Sequence, residues 1–208
     1  MRQLLGRANS SNVMKVIWLL EEMGLPYQRR DIGGKFGGND TPDYRALNPN
    51  GVVPTLVEDD FVLWESNAIL RYLADADPAG EPFWPRDLRA RANVDRWMDW
   101  LQTTLGPQMT PVFWGLVRHA PEQRDWPTIN KAAARLGELY GILDRVLTES
   151  DYIGGPGLTL CDMSIGVHAH RWFSFDGIDR PELPHLRAWY DRLLDRPVYR
   201  THVARPLT

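Results

Sequence analysis

The 208-residue sequence predicts an α/β unit followed by an all-α unit: a mixed four-stranded sheet with its helices over residues 1–77, a linker over 78–87, and helices only over 88–208. Three observations carry this prediction. Short strand and helix signals alternate through the first 76 residues, a Pro-rich stretch follows, and strand signals then give way to long runs of 3.6-residue periodicity.

Gln3 to Leu5 is a brief apolar strand. Val13, Val16, Ile17 and Leu20 then fall at i, i+3, i+4 and i+7, one face of a helix that stops at Gly24 and Pro26. Tyr27 to Ile32 reads as a second strand. The polar, Gly-rich stretch after it holds one short helix, Pro42 to Leu47. Val52 to Val57 and Phe61 to Trp64 flank Glu58-Asp59-Asp60 as a hairpin, and Ser66 is expected to cap a helix running to about Ala76. A crossover first and a hairpin last make the sheet mixed. Beyond the punctuation at Pro78, Pro82 and Pro85, one helix carries Val94, Trp97, Met98, Leu101 and Leu105, and a second runs from Ile129 to Leu147. A third starts at Thr159, where Asp162 stands at the reciprocal position of a capping box, and a last one spans Pro184 to Leu194.

Composition narrows the function. Of the sequence 43% is hydrophobic and 25% charged, which excludes a disordered chain. The single cysteine, Cys161, rules out an internal disulfide and any two-cysteine redox or zinc chemistry. The net charge is −3, and residues 1–77 carry 8 Lys/Arg against 11 Asp/Glu, so neither unit is basic and nucleic acid is not expected as a partner. Arg86, Arg89, Arg91 and Arg96 alternate with Asp87 and Asp95 as a solvated helix face. No apolar run reaches 18 residues and the N-terminus has no signal-type core; the expectation is a cytoplasmic protein with no membrane partner. His168 and His170 are two apart on a helix and point to opposite sides, so no metal site is expected.

Three segments of the first unit have chemical meaning. Asn9-Ser10-Ser11-Asn12 places small polar side chains at a helix start, where unsatisfied amides and the helix dipole favour an anion, although simple capping explains the same residues. Val52-Val53-Pro54-Thr55 puts proline at the head of an apolar strand. Held cis, it leaves the amide and carbonyl of Val53 facing outward for an extended peptide-like ligand; an ordinary trans strand start is the alternative. Glu65-Ser66 joins an acid for an ammonium to an amide for a carboxylate, the two charges of an α-amino acid terminus, and capping alone accounts for Ser66 but not for Glu65.

In order and spacing these segments resemble the soluble glutathione transferase family, most specifically through Asn48-Pro49-Asn50-Gly51-Val52-Val53-Pro54-Thr55-Leu56 and Glu65-Ser66-Asn67-Ala68-Ile69-Leu70. The resemblance spans essentially the whole chain, including Gly157-Leu158-Thr159-Leu160-Cys161-Asp162, and is to bacterial theta-, zeta- and nu-like members with a serine corner. It implies a thioredoxin-like first domain, glutathione as co-substrate without metal or nucleotide, a homodimer, and detoxifying conjugation of a small hydrophobic electrophile. By the same resemblance Ser10 donates to the glutathione sulfur with Ser11 and Asn12 beside it, Val53 before cis-Pro54 pairs with the cysteinyl unit, and Glu65 with Ser66 binds the γ-glutamyl end. Many members carry Gln or Lys where this chain has Val52, which leaves the glycine end of the ligand to Lys35 or Asn39. Met109, Phe113, Trp114 and Val117 are the candidates for an apolar electrophile pocket, with core packing as the plainer reading. Glutathione-dependent disulfide reduction and a non-catalytic binding module on the same fold are the alternatives.

The activation required has a definite size. A thiol of pKa about 8.5 is only roughly 3% thiolate at pH 7, and lowering it by about two units, roughly 2.7 kcal/mol, makes about three quarters of it ionised. A hydroxyl donor and a helix N-terminus, each worth about 0.5–2 kcal/mol, are needed together.

Overall fold

In the computed structural model, which describes residues 1–208, the first strand β1 (Arg2–Leu5) lies inside a four-stranded sheet of order β2-β1-β3-β4. β1 pairs in parallel with β2 (Gln28–Arg30) and antiparallel with β3 (Thr55–Glu58), and β3 pairs antiparallel with β4 (Phe61–Trp64). The parallel pair needs the crossover that α1 (Ser11–Glu22) supplies, and the antiparallel pair needs only the Asp59-Asp60 turn.

Successive strand residues point to opposite faces, so the burial of both Leu4 and Leu5 means that the sheet is covered on both sides. Leu5, Ile32 and Tyr44 form the small core under α2 (Pro42–Leu47). The apolar stripe read from the sequence, Val13, Val16, Ile17 and Leu20, is buried along α1, as are Ile69, Leu70 and Leu73 of α3 (Ser66–Ala76). Two strands are shorter than the sequence suggests: β2 spans three residues and β3 begins at Thr55, because residues 52–54 leave the ladder to build a loop.

The chain divides into two compact units, Met1–Trp84 and Pro85–Thr208. Residues 78–84, expected as linker, thus belong to the first unit. The Trp84 indole N–H donates to Asp75 at 3.1 Å, and a Cβ on Gly80 would lie 2.3 Å from the Ala74 carbonyl oxygen, so only glycine fits against the end of α3.

In the second unit α4 (Leu88–Trp100) does not stop where the periodicity fades. It runs through a π-helical turn at Leu101–Leu105 into α5 (Gly106–Phe113) and a second π turn at Trp114–Arg118. Pro107 and Pro111 lack the N–H an α-helix needs and crowd the preceding turn, and the widened turns lodge beside them. α6 (Trp126–Val146) and α8 (Pro184–Leu194) follow the predicted stripes, whereas α9 (Pro197–His202) was not legible in the sequence. α7 (Leu160–Ser174) is buried continuously from Leu160 to Ala169, which marks it as the central helix of this unit. No helix is long and apolar enough to cross a membrane.

Candidate active site

The three segments meet at one end of the sheet. β1 ends at Gly6, whose N–H donates to the Arg30 carbonyl at 2.8 Å, while Arg7 N–H donates to Ile32 at 3.0 Å. A Cβ on Gly6 would lie 2.5 Å from Val13 Cγ2 and 3.2 Å from Val53 Cβ, so a glycine here lets the β1–α1 corner and the Val53 loop close on each other. Gly6 stands outside the three motifs read from the sequence, although a glycine ending a strand is a signal for close backbone approach.

Ser10 is the N-cap of α1, in extended conformation, and is buried to 8% exposure. Its backbone carbonyl opens the helix by accepting from Met14 at 2.8 Å. Its side chain makes no capping hydrogen bond, so capping, the plainer explanation of a serine at this position, does not occupy the hydroxyl. Ser11 and Asn12, both partly buried, form the first turn. Asn12 Oδ1 accepts from Lys15 Nζ at 3.1 Å and from Ser66 Oγ at 3.4 Å, which joins the start of α1 to the start of α3.

The Val53–Pro54 peptide bond is cis. Tyr44, not singled out in the sequence, and Asn48, which stands in the Asn-Pro-Asn-Gly segment without a role assigned to it, hold this loop from beneath. The Tyr44 hydroxyl donates to the Val52 carbonyl at 2.7 Å, Asn48 Nδ2 donates to the same carbonyl at 2.8 Å, and both touch Thr55 Oγ1. Burial pushes the Tyr44 hydroxyl above its ordinary pKa and so keeps it a donor. The Val52 carbonyl is thereby turned inward. The backbone amide and carbonyl of Val53 enter neither the sheet ladder nor the loop hydrogen bonds. Asn48 also accepts from Asn50 N–H at 3.1 Å, the Asx turn that the Asn-Pro-Asn-Gly run signals.

Glu65, not Ser66, is the N-cap of α3. It has φ 74° and ψ 113°, a left-handed conformation rare for a residue with a side chain, and makes no side-chain cap bond. Ser66 is therefore the first helical residue, buried, and its hydroxyl turns to Asn12 instead of to the backbone of its own helix. Strain of this kind persists where the surrounding structure holds it, and it gathers at ligand-binding positions.

Lys35 is exposed beside the Phe36 ring, and Asn39 Nδ2 donates to the Gly51 carbonyl at 2.8 Å, which ties the Gly-rich loop down. In the second unit Met109 and Phe113 are core residues, with the Arg171 guanidinium 3.8 Å above the Phe113 ring. Trp114 is 54% exposed and Val117 half-buried, so these two retain apolar surface. His168 is buried on the Ser164 carbonyl, and His170 bridges Tyr190 and the Arg205 carbonyl. No group of three or more metal-ligating side chains is present.

A mixed four-stranded sheet with a cis-proline loop facing two helix starts, followed by an all-helical unit, is a thioredoxin-like domain with a helical C-terminal domain. Residues 9–76 match the family model of the glutathione S-transferase N-terminal domain and residues 105–197 that of the glutathione S-transferase C-terminal domain. Glutathione S-transferase GstB of Escherichia coli strain K12 is 38% identical over 99% of both chains. The crystal structure of the theta class glutathione S-transferase from Xanthomonas axonopodis pv. citri with glutathione bound is 46% identical with a TM-score of 0.94, over 100% of this chain and 99% of that one. Disulfide-bond oxidoreductase YfcG of Escherichia coli strain K12 is 27% identical over 91% of this chain and 89% of its own. The chain belongs to the glutathione S-transferase family.

Proposed function

We propose that this transferase binds glutathione along Val53 and activates it at the start of α1, in the manner of a theta-class enzyme. The observation that carries the reading is the Ser10 hydroxyl: it stands at the N-cap of a twelve-residue helix and caps nothing. A hydroxyl so placed donates to a thiolate while the helix dipole favours the same charge, the two contributions the thiol shift requires. Val53 offers a donor and an acceptor to the cysteinyl unit. Exposed Glu65 faces the γ-glutamyl ammonium, and the first amides of α3 at Ser66 face its carboxylate. Lys35 and Asn39 are assigned to the glycine end, with Asn39 acting through the loop it anchors. Ser10 acts as a hydrogen-bond donor, and the thiolate sulfur is the nucleophile that forms the new bond to carbon as the electrophile's leaving group departs or its double bond takes up the electron pair.

The electrophile is small and hydrophobic, with Met109, Phe113, Trp114 and Val117 as the residues assigned to it. The reaction uses no metal or nucleotide. The protein is assigned to the cytoplasm as a homodimer; the exposed Phe61 and Trp64 on β4 supply apolar surface for such an interface. The test is a panel of model electrophiles and a hydroxyethyl disulfide assay, run on wild type and Ser10→Ala. Loss of conjugation in the variant supports the assignment. Conjugation unchanged in Ser10→Ala removes Ser10 from its role. Disulfide reduction without conjugation moves the chain toward the oxidoreductase reading, and glutathione affinity with no turnover toward a binding module.

A further inference from the structure

Lys15 is the conspicuous buried group that this reading leaves unused. It lies on α1 with 0% exposure, between the buried Val13 and Val16. Lysine is almost never fully buried without partners, since withdrawing an ammonium from water costs several kcal/mol. Its Nζ reaches Asn12 Oδ1 at 3.1 Å. An ammonium only donates, so the Asn12 atom it meets must be the carbonyl oxygen, and the Ser66 hydroxyl, able to donate or accept, then donates to that same atom at 3.4 Å. The contact therefore settles which way the Asn12 amide faces. With Oδ1 held by two donors, the NH2 group is left over. It makes no hydrogen bond within the chain and is not among the buried polar atoms without a partner, so it remains open to a ligand two residues beyond Ser10.

We infer that Lys15 is a positioning residue for thiol activation: it holds Asn12 with the amide NH2 turned toward bound glutathione, and its buried charge adds to the positive field at the start of α1. The inference rests on the glutathione reading of the corner. It differs from capping or packing because both of its parts act on the ionisation of the ligand and not on the stability of the fold.

The experiment uses the full chain and compares Lys15→Met, which keeps the apolar stem, with Lys15→Arg, which keeps donor and charge. Three quantities are read: the pH profile of kcat/KM with a model electrophile, the ultraviolet difference titration of bound glutathione thiolate, and the affinity for S-methylglutathione, which has no thiol proton. Lys15→Met is expected to raise the bound thiol pKa by about 0.5–1 unit, so that kcat/KM on the acid limb falls about 3- to 10-fold. Its alkaline plateau and S-methylglutathione affinity stay within about twofold, and Lys15→Arg restores the wild-type profile. A profile within about 0.2 unit of wild type in Lys15→Met, or an equal loss at every pH and for S-methylglutathione, overturns the inference. If Lys15→Met does not fold, Asn12→Ala removes the group through which Lys15 acts and must show the same displacement; an unmoved thiol there overturns it as well. Wild type that binds no glutathione brings down the reading of the site, whereas wild type with a lowered thiol pKa that Lys15→Met leaves in place brings down only the role of Lys15.

Discussion

The start of α7 in the helical unit and the starts of α1 and α3 in the first unit are built on opposite principles. At α7, in the helical unit, every oxygen valence is closed: Asp162 accepts from Ile153 N–H at 2.7 Å, Thr159 N–H at 3.0 Å, the Thr159 hydroxyl at 2.7 Å and the Trp189 indole at 3.0 Å, all buried. Burial raises the Asp162 carboxyl and those hydrogen bonds hold the rise back. At α1 and α3 the N-cap side chains, Ser10 and Glu65, make no cap bond, and Glu65 is held at φ 74°. A start that closes on itself serves the fold. A start whose side chains are withheld from their own backbone, under strain, remains available to a ligand.

The largest effect expected from breaking this contrast is at Asp162. Asp162→Ala removes the carboxylate that four buried donors share and should cost on the order of 4 kcal/mol or prevent folding, read by urea unfolding. Ser10→Ala is the counterpart in the first unit. It should lower kcat/KM for conjugation about 20-fold, roughly 1.8 kcal/mol, since the start of α1 remains, while the urea midpoint barely moves because no cap bond is lost. A stability loss near 1 kcal/mol in that variant would show instead that the hydroxyl is a structural cap.

Glu65→Gln removes the charge and keeps the shape. Glutathione affinity measured by calorimetry should fall about tenfold, roughly 1.4 kcal/mol, and an unchanged affinity would detach the γ-glutamyl end from this corner. The smallest effect sharpens the same point from the side of strain. Glu65→Gly relieves the left-handed backbone and should stabilise the protein by up to about 1 kcal/mol in thermal unfolding while weakening glutathione binding. A variant less stable than wild type would mean that position 65 is not held against its own preference.

The parts of the site differ in how far the sequence reveals them. The corner at Ser10, Val53 before Pro54, and the acid beside Ser66 are readable because each couples a local rule, a helix start or a proline at a strand head, to an uncommon neighbour. Tyr44 and Asn48 look like ordinary members of a short helix and an Asx turn, yet they hold the loop that presents Val53. Gly6 is a lone glycine until Val13 and Val53 are seen to close on it. Ser66 reads as a cap, and only the backbone of Glu65 makes it the first helical residue. In the helical unit the stripes of α4, α6 and α8 are plain, whereas the passage of α4 through two π turns past Pro107 and Pro111 contradicts what prolines ordinarily announce.

By itself the sequence determined the features that near neighbours along the chain dictate: the alternation of strands and helices, their apolar faces, the reciprocal cap of α7, and three segments suited to an anion, an extended peptide-like ligand and an amino acid terminus. The tertiary structure decided which groups remain available. Whether a serine caps its own helix and whether a lysine is solvated or buried depend on the packing of the whole unit, and the Asn12 amide is set by Lys15 one helical turn on together with Ser66 far away in sequence. Ser66 stands 54 residues from the Asn12 that it meets, and folding, not proximity along the chain, brings them together.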